Sequence, residues 1–402
     1  MSREVRTFLT GADLVLPDRI VTGQTLVLDE GRIVDLVTGP RVASEGAVRL
    51  DRTGFIIVPG FIDVHVHGVA GRDVLDGAGA IAAIAERLPR WGVTAFCPTT
   101  IACPPHALDA CLREVAGLRE RPNPEAARVL PAHLESNFIN PEYRGAQPLA
   151  CLRTPGTGGP DFGGADVLAV IEGRRADIGI VTLAPEVEGG LDLVRALVAA
   201  GVRVALGHSG ATFDEAQAAI AAGARHATHL FNRMSPMAAR MPGLAGAVLA
   251  TDEVAAELVC DGVHVHPAVM RVAIAAKGPA RMMAVTDGTA GSGLPAGSRA
   301  RLGGQAITIG DVARLDDGTI AGSVSTMDRA FANLVVLAGL DLVAAATMCA
   351  TTPARELGLH GYGLIAKGAV ADFVVLDSRL AVAETWRSGR KIFPREAEAG
   401  QR

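Results

Sequence analysis

The sequence is short of lysine, short of aromatic residues and without paired cysteines, and each shortage removes a class of protein. Lysine occurs only as Lys277, Lys367 and Lys391, among 38 basic residues. The net charge of −5 gives no basic footprint, so no nucleic-acid partner is expected. Aromatic residues make up 4% of the chain, too few for a Trp-rich sugar-binding surface. The six cysteines (Cys97, Cys103, Cys111, Cys151, Cys260 and Cys349) form no C-x-x-C pair and read as reduced thiols of a cytoplasmic protein. The opening Met1-Ser2-Arg3-Glu4-Val5-Arg6 has no apolar core of a secretion signal. No charge-free apolar run reaches about 18 residues, so no membrane span is expected.

What is abundant is Ala, Val, Leu and Gly, with 49% hydrophobic residues over 402 positions. This composition suits helices packed on short buried strands. A (β/α)8 barrel takes about 250 residues, which leaves room for one small accessory domain. Residues 7–16, 25–29, 32–37 and 47–50 carry β-formers bounded by Gly, Asp and Pro, and 371–377 offers a matching stretch near the other end. Between them, apolar runs at 60–64, 93–98, 129–134, 178–184, 202–206, 226–230, 256–259 and 282–286 alternate with helical stretches such as 190–200 and 214–222. The expected fold is α/β: a (β/α)8 TIM barrel over residues 58–357, with a small β-sandwich domain formed from both chain ends, 1–57 and 358–402.

The ends of these eight runs carry the chemistry. They finish on His65 and His67, Thr99 and Thr100, Glu135, Glu186, His208, His229, Asp261 and His264, and Asp287. Barrel enzymes build their sites at that face from several strands. His65-Val66-His67 puts two imidazoles on one side of a strand. A lone H-x-H is weak evidence, but Glu135, His208 and His229 at neighbouring strand ends complete an N/O ligand set for a divalent metal, Zn or Fe(II), with one or two ions per subunit. Asp287, in Val285-Thr286-Asp287-Gly288, is placed to act as base and then acid beside a metal-activated water. His133 shares a face with Glu135 and could support the site or help an oxyanion. His106, His226, His266 and His360 read as structural or surface residues. Several barrel hydrolases bridge two metals with a carbamylated lysine after strand four; here that strand ends Thr182-Leu183-Ala184-Pro185-Glu186 and no lysine precedes Lys277, which disfavours that branch.

In combination these segments resemble the amidohydrolase superfamily, and within it the N-acetylglucosamine-6-phosphate deacetylase family. The resemblance is carried by Pro59-Gly60-Phe61-Ile62-Asp63-Val64-His65-Val66-His67-Gly68, His133-Leu134-Glu135, Gly207-His208-Ser209-Gly210, Thr228-His229-Leu230-Phe231-Asn232, Arg240-Met241-Pro242-Gly243, Asp261-Gly262-Val263-His264 and Thr286-Asp287. It implies that Glu135, His208 and His229 are the principal metal ligands, that His65 and His67 serve a second metal, and that Asp287 is catalytic. It further implies a substrate pocket formed by Ala146, Gln147, Asn232, Arg233, Arg240, Asp261, His264, Ile320, Ala321 and Gly322. Arg240 and His264 would reach the neighbouring active site of a homodimer. The reaction implied is hydrolysis of N-acetylglucosamine 6-phosphate to glucosamine 6-phosphate and acetate.

The chain departs from that family's pattern at Ser136-Asn137, where Gly-Pro is usual, at Gln147 in place of a histidine, at Arg233 in place of a small residue, and in Gly288-Thr289-Ala290-Gly291-Ser292. These changes are expected near the substrate, so a different N-acyl amino sugar or N-acyl amine stays open as an alternative. A deaminase on the same barrel normally lacks the strand-three glutamate, and a non-catalytic scaffold would have lost ligands that this chain keeps.

Overall fold

The structure is a computed structural model that describes residues 6–39 and 47–394. The expectations for Met1–Val5, and for the parts of the end domain at 40–46 and 395–402, lie outside the described residues.

Eight parallel strands form the barrel: β1 (Phe61–Val66), β2 (Val93–Thr100), β3 (Ala132–Glu135), β4 (Ile178–Leu183), β5 (Arg203–Leu206), β6 (His226–Ala227), β7 (Ala255–Val259) and β8 (Met282–Val285). Each pairs in parallel with the next. The ring closes at its upper rim, where the Asp287 N–H donates to His65 O at 3.1 Å and the His67 N–H to Gly288 O at 2.8 Å. Below this seam the Thr286 hydroxyl donates to buried Asp63 at 2.6 Å. A helix follows every strand, in order Ala80–Arg87, Pro105–Glu120, Gly164–Gly173, Gly190–Ala199, Phe213–Ala221, Gly243–Ala250, Pro267–Lys277 and Met327–Val336. Local chemistry starts them close to the strand ends. After β5, Thr212 and Glu215 form a reciprocal capping box that opens the helix four residues past His208. Apolar side chains such as Ile62, Val64, Ile180, Val259 and Met283 fill the lumen, so the barrel is a packed core and not a pore.

The strands outside the barrel form two facing sheets. One holds Thr7–Thr10, Gln24–Asp29, Arg32–Thr38 and Val48–Asp51; the other holds Asp13–Val15, Ile20–Val21, Ile56–Pro59, Phe373–Leu376, Val382–Arg387 and Arg390–Phe393. Leu9, Leu26 and Ile33 from the first meet Leu14, Ile57, Phe373, Val375 and Trp386 from the second. The second sheet is buried on both faces. Alternation sends Ile57, Phe373 and Val375 into the sandwich and Val58, Val374 and Leu376 onto the barrel, which is why the run Phe-Val-Val-Leu is apolar throughout. Arg52 ties the two chain ends with a fork onto Glu384 at 2.8 and 3.0 Å.

One element was not anticipated. Between β8 and the last barrel helix, Arg299–Leu302, Gln305–Ile309 and Ala313–Arg314 make a three-stranded antiparallel sheet. Its first hairpin turns on Gly303 and Gly304, both at positive φ.

Phe373 stacks on Trp386 with ring centroids 5.3 Å apart. Phe373→Ala is expected to cost about 3–5 kcal/mol, measured as a lowered urea midpoint. An unchanged midpoint would mean that the sandwich core contributes nothing to the cooperative unit.

Candidate functional site

At the rim of the barrel, six residues from five strand ends converge. Glu135 Oε1 lies 2.8 Å from His208 Nε2 and 2.8 Å from His229 Nε2, and those two nitrogens are 3.1 Å apart. Beside them His65 Nε2 and His67 Nε2 face each other at 3.1 Å, with Asp287 Oδ1 at 3.4 and 3.2 Å from them. Glu135 joins the two groups, its oxygens lying 3.7 Å from His65 Nε2 and 3.5 Å from His67 Nε2. All six of these side chains are buried.

The outer nitrogens explain why the inner ones converge. His67 Nδ1 donates to Thr99 O at 3.0 Å, His208 Nδ1 to Tyr143 O at 2.8 Å, and His65 Nδ1 to the Glu257 carboxylate at 2.8 Å. An imidazole whose Nδ1–H is engaged keeps its Nε2 lone pair free, the ligating tautomer. His229 Nδ1 is buried without a partner. Three of the histidines therefore turn their Nε2 atoms toward one small volume lined by Glu135 and Asp287, an arrangement that suits a bound cation.

The electrostatics show negative charge crowded around these nitrogens, which in the absence of an ion favours a proton on His65. Burial favours neutral His65, yet Glu257, Asp287 and Glu135 push its pKa up to about 10. Burial also opposes charge on Glu135, but His208 and His229 hold its carboxyl well below the usual carboxylate range. Asp287 is likewise held low against burial by His65 and His67. The two donor sets, Glu135 with His208 and His229, and His65 with His67 and Asp287, each place their ligand atoms within 4.8 Å of one another. They fit one or two divalent ions.

The backbone bends to achieve this. His208, His229 and Asp287 all sit at positive φ, at 49°, 28° and 48°. Such left-handed conformations are strained for residues with a Cβ. Each strand turns sharply as it leaves the barrel, and the turn swings the side chain over the axis.

The donors open into a cavity of about 430 Å³. It is lined by Ala146, Gln147, Asn232, Arg233, His264, Ile320 and Gly322 from the expected set. A larger cleft of about 750 Å³ lies at the other end of the barrel, lined by strand beginnings such as Ile178 and Val202, far from these ligands. The Arg233 guanidinium makes no hydrogen bond or ion pair among the described residues, and His264 Nε2 is buried without a partner.

Other expected residues take different places. His264 lines the cavity of its own chain, because β7 ends above that cavity; it does not need to come from a neighbour. Asp261 stays outside the lining and accepts from His264 Nδ1 at 2.6 Å, holding that ring in place. Ala321 is fully buried in the core of the three-stranded sheet. Arg240 is exposed on the loop before Gly243–Ala250 and is not among the lining residues. His133 cannot serve an oxyanion, since Nδ1 donates to Val64 O at 3.0 Å and Nε2 takes the Thr182 hydroxyl at 2.7 Å.

The departures from the family pattern divide in the same way. Ser136 donates to Thr182 O at 2.6 Å, and Asn137 bridges Cys103 O and Cys151 O at 2.9 and 2.7 Å. Thr289 and Ser292 donate to Ser323 O. All four brace loops. Gln147 does face the site: its amide donates to Glu135 Oε2 while its carbonyl accepts from the Ala102 N–H at 2.7 Å. Glu257 was missed by the sequence reading. Its signal was an acid in the middle of the apolar strand Ala-Ala-Glu-Leu-Val, where burial demands partners.

Known proteins resemble this chain over nearly its whole length. Residues 56–392 match the model of the amidohydrolase family. An N-acetylglucosamine-6-phosphate deacetylase of Danio rerio is 37% identical, with 86% of each chain covered. An N-acetylgalactosamine-6-phosphate deacetylase of Escherichia coli O157:H7 is 35% identical over 85% of this chain and 88% of that one. A mutant N-acetyl-D-glucosamine-6-phosphate deacetylase of Mycobacterium smegmatis, solved in complex with N-acetyl-D-glucosamine-6-phosphate, superposes with a TM-score of 0.86 at 33% identity, covering 96% of this chain and 99% of that one. With that fold, these ligand sets and this likeness along the chain, the protein belongs to the amidohydrolase family and, within it, to the N-acetylglucosamine-6-phosphate deacetylases.

Proposed function

We propose that the chain is a metal-dependent deacetylase that hydrolyses the N-acetyl group of N-acetylglucosamine 6-phosphate to acetate and glucosamine 6-phosphate. One observation carries the reading: the Asp287 carboxylate lies against inward-pointing histidine pairs in a cavity that also offers an unpaired arginine and a free imidazole nitrogen.

Glu135, His208 and His229 would hold one divalent ion, zinc or iron(II), and His65 and His67 with Asp287 a second. Such an ion supplies a Lewis acid for the acyl carbonyl and lowers the pKa of water. The remaining steps fall to side chains. Asp287 takes a proton from the attacking water as its oxygen bonds to the acyl carbon. The C–N bond then breaks, and Asp287 returns the proton to the leaving amine. One amide hydrogen of Gln147 holds Glu135, and the other is free to donate to the acyl oxygen as charge develops there. Arg233, Asn232 and His264 form the phosphate end of the pocket, where a guanidinium fork suits a phosphate.

Arg240, exposed and outside its own cavity, would reach the site of a second copy, with exposed Met237 and Met241 beside it in the contact. Sedimentation at twice the 41.4 kDa subunit mass is expected; a monomer at micromolar concentration would remove Arg240 from the site. No helix among the described residues is long and apolar enough to cross a membrane, and the six free cysteines suit a cytoplasmic enzyme.

Acetate release should be measured from N-acetylglucosamine 6-phosphate, its unphosphorylated form and the galactosamine epimer. Asp287→Asn is expected to lower kcat by about 10²–10⁴-fold, and chelation followed by zinc return should abolish and restore turnover. A metal-loaded enzyme that cleaves none of the three sugars would overturn the reading. Arg233→Ala should raise KM for the phosphorylated sugar roughly tenfold with little change in kcat. An equal effect on the unphosphorylated sugar would place the phosphate contact elsewhere.

A further inference from the structure

We infer that Glu257 is a positioning residue: it fixes His65 in the one tautomer that can offer Nε2 to a metal, and a hydrogen-bonded chain through His226 to Arg203 fixes Glu257 in turn. The inference rests on the reading above only in taking His65, His67 and Asp287 as donors to a divalent ion. It does not depend on the substrate.

Glu257 sits in the middle of β7 and is completely buried. The alternation of β7 places it on the lumen side with Ala255 and Val259, directly beneath the ligands. Nothing in the reaction uses it, and it supplies no atom to the two donor sets at the cavity. Yet a buried carboxylate is costly unless its oxygens are fully engaged. Here Oε2 accepts from His65 Nδ1 at 2.8 Å and from the His229 N–H at 3.1 Å, while Oε1 accepts from His226 Nε2 at 2.8 Å.

The direction of every bond in this chain is set from one end. Arginine has donors and no acceptor. Arg203 Nε donates to His226 Nδ1 at 3.1 Å, so that nitrogen carries the lone pair. His226 must then carry its hydrogen on Nε2 and give it to Glu257. A carboxylate accepts at both oxygens, so His65 must carry its hydrogen on Nδ1. Nε2 is thereby the nitrogen left for an ion, 3.1 Å from His67 Nε2 and 3.4 Å from Asp287 Oδ1. Arg203 is itself held low in the barrel by the Glu356 carboxylate and by Glu356 O at 2.9 Å. The chain thus spans the lumen from its base to the metal ligands. Carboxylate support of a metal-binding imidazole typically carries 10–100-fold in metal affinity.

Glu257→Gln keeps the volume and breaks the logic. Its single oxygen is claimed by the His226 Nε2–H, because Arg203 allows His226 no other tautomer. The amide NH2 then faces His65 Nδ1, which must become an acceptor. The hydrogen moves to Nε2 and blocks the ligand position. Glu135 and His208 keep their own supports; His229 loses only the acceptor of its main-chain N–H, and its imidazole stays against Glu135 at 2.8 Å.

The test is zinc titration of metal-free wild type and Glu257→Gln by equilibrium dialysis with elemental analysis. Two ions per subunit are expected for wild type. For Glu257→Gln one ion should stay tight and the second should bind 10–100-fold more weakly. A merely structural carboxylate would weaken both ions together or neither. Wild-type affinity for both ions in Glu257→Gln overturns the inference, as does a wild type that holds a single ion. Failure to release acetate while both ions bind as expected would sink the substrate reading and leave this one standing. Should Glu257→Gln not fold, ¹⁵N spectra of the zinc-loaded wild type decide: the His65 proton belongs on Nδ1, and a proton on Nε2 overturns the proposal.

Discussion

The structure depends on one constraint: several imidazoles must point bare nitrogens at one small volume inside an apolar barrel. Left alone, such lone pairs repel, and a histidine has two tautomers and two ring flips with which to escape. The protein removes these escapes at the outer nitrogen. Thr99 O, Tyr143 O and the Glu257 carboxylate each hold an Nδ1–H at 2.8–3.0 Å. Two of these acceptors are main-chain carbonyls, so ligand orientation is written into the backbone of β2 and of the loop after β3. The third is a charged side chain that needs its own support, and its partners occupy much of the lumen below.

That arrangement is strained as well as charged. Left-handed conformations at His208, His229 and Asp287 cost of order 1–3 kcal/mol each, and they persist only because the surroundings over-determine them. Asp287 is stitched to β1 through its own N–H and to Ser323 through its carbonyl. His208 is followed by Ser209, which donates to Glu186 at 2.7 Å, and by the capping box at Thr212. Glu186 is therefore a brace for the loop after β5, though its place at a strand end gave it the same appearance as the ligands. The parallel ring, with every strand paired on both sides near the site, supplies the rigidity against which these turns are held.

The fold was legible because its signals are local and repeated. Apolar runs of strand length alternate with amphipathic helices eight times, and chemistry-bearing residues fall at the same end of each run. The ligands were legible for the same reason: Glu135 ends an apolar strand, and His208, His229 and Asp287 sit just past one. What stayed hidden needs three-dimensional information. Glu257 lies inside a strand, and only the ring brings it under His65 and beside His226. The roles of His133 and of Ser136 and Asn137 depend on which way a side chain turns, and sequence neighbours of a ligand need not face it. The three-stranded sheet was a missed signal of another kind, since Gly303-Gly304 between two β-prone stretches is a hairpin turn. Arg240 is in a third class: it is exposed and lies outside the cavity lining of its own chain, so a single chain gives it no place in the site.

The departures from the family pattern carry a narrower message than their number implies. Ser136, Asn137, Thr289 and Ser292 are bonded to main-chain carbonyls and shape loops, so they bear on the substrate only through the position of those loops. Gln147 and Arg233 alone among the changed residues line the cavity. A glutamine at 147 cannot become a cation, so what it can offer a substrate is a hydrogen bond alone. In exchange it is locked at both ends, to the Ala102 N–H and to Glu135, and a locked donor loses less in ordering at the transition state. Arg233 adds a positive charge to the cavity lining. On the proposed reading, the changed residues leave the Gln147 side of the cavity without a cation and add one at Arg233, which weights binding toward an anionic group of the substrate.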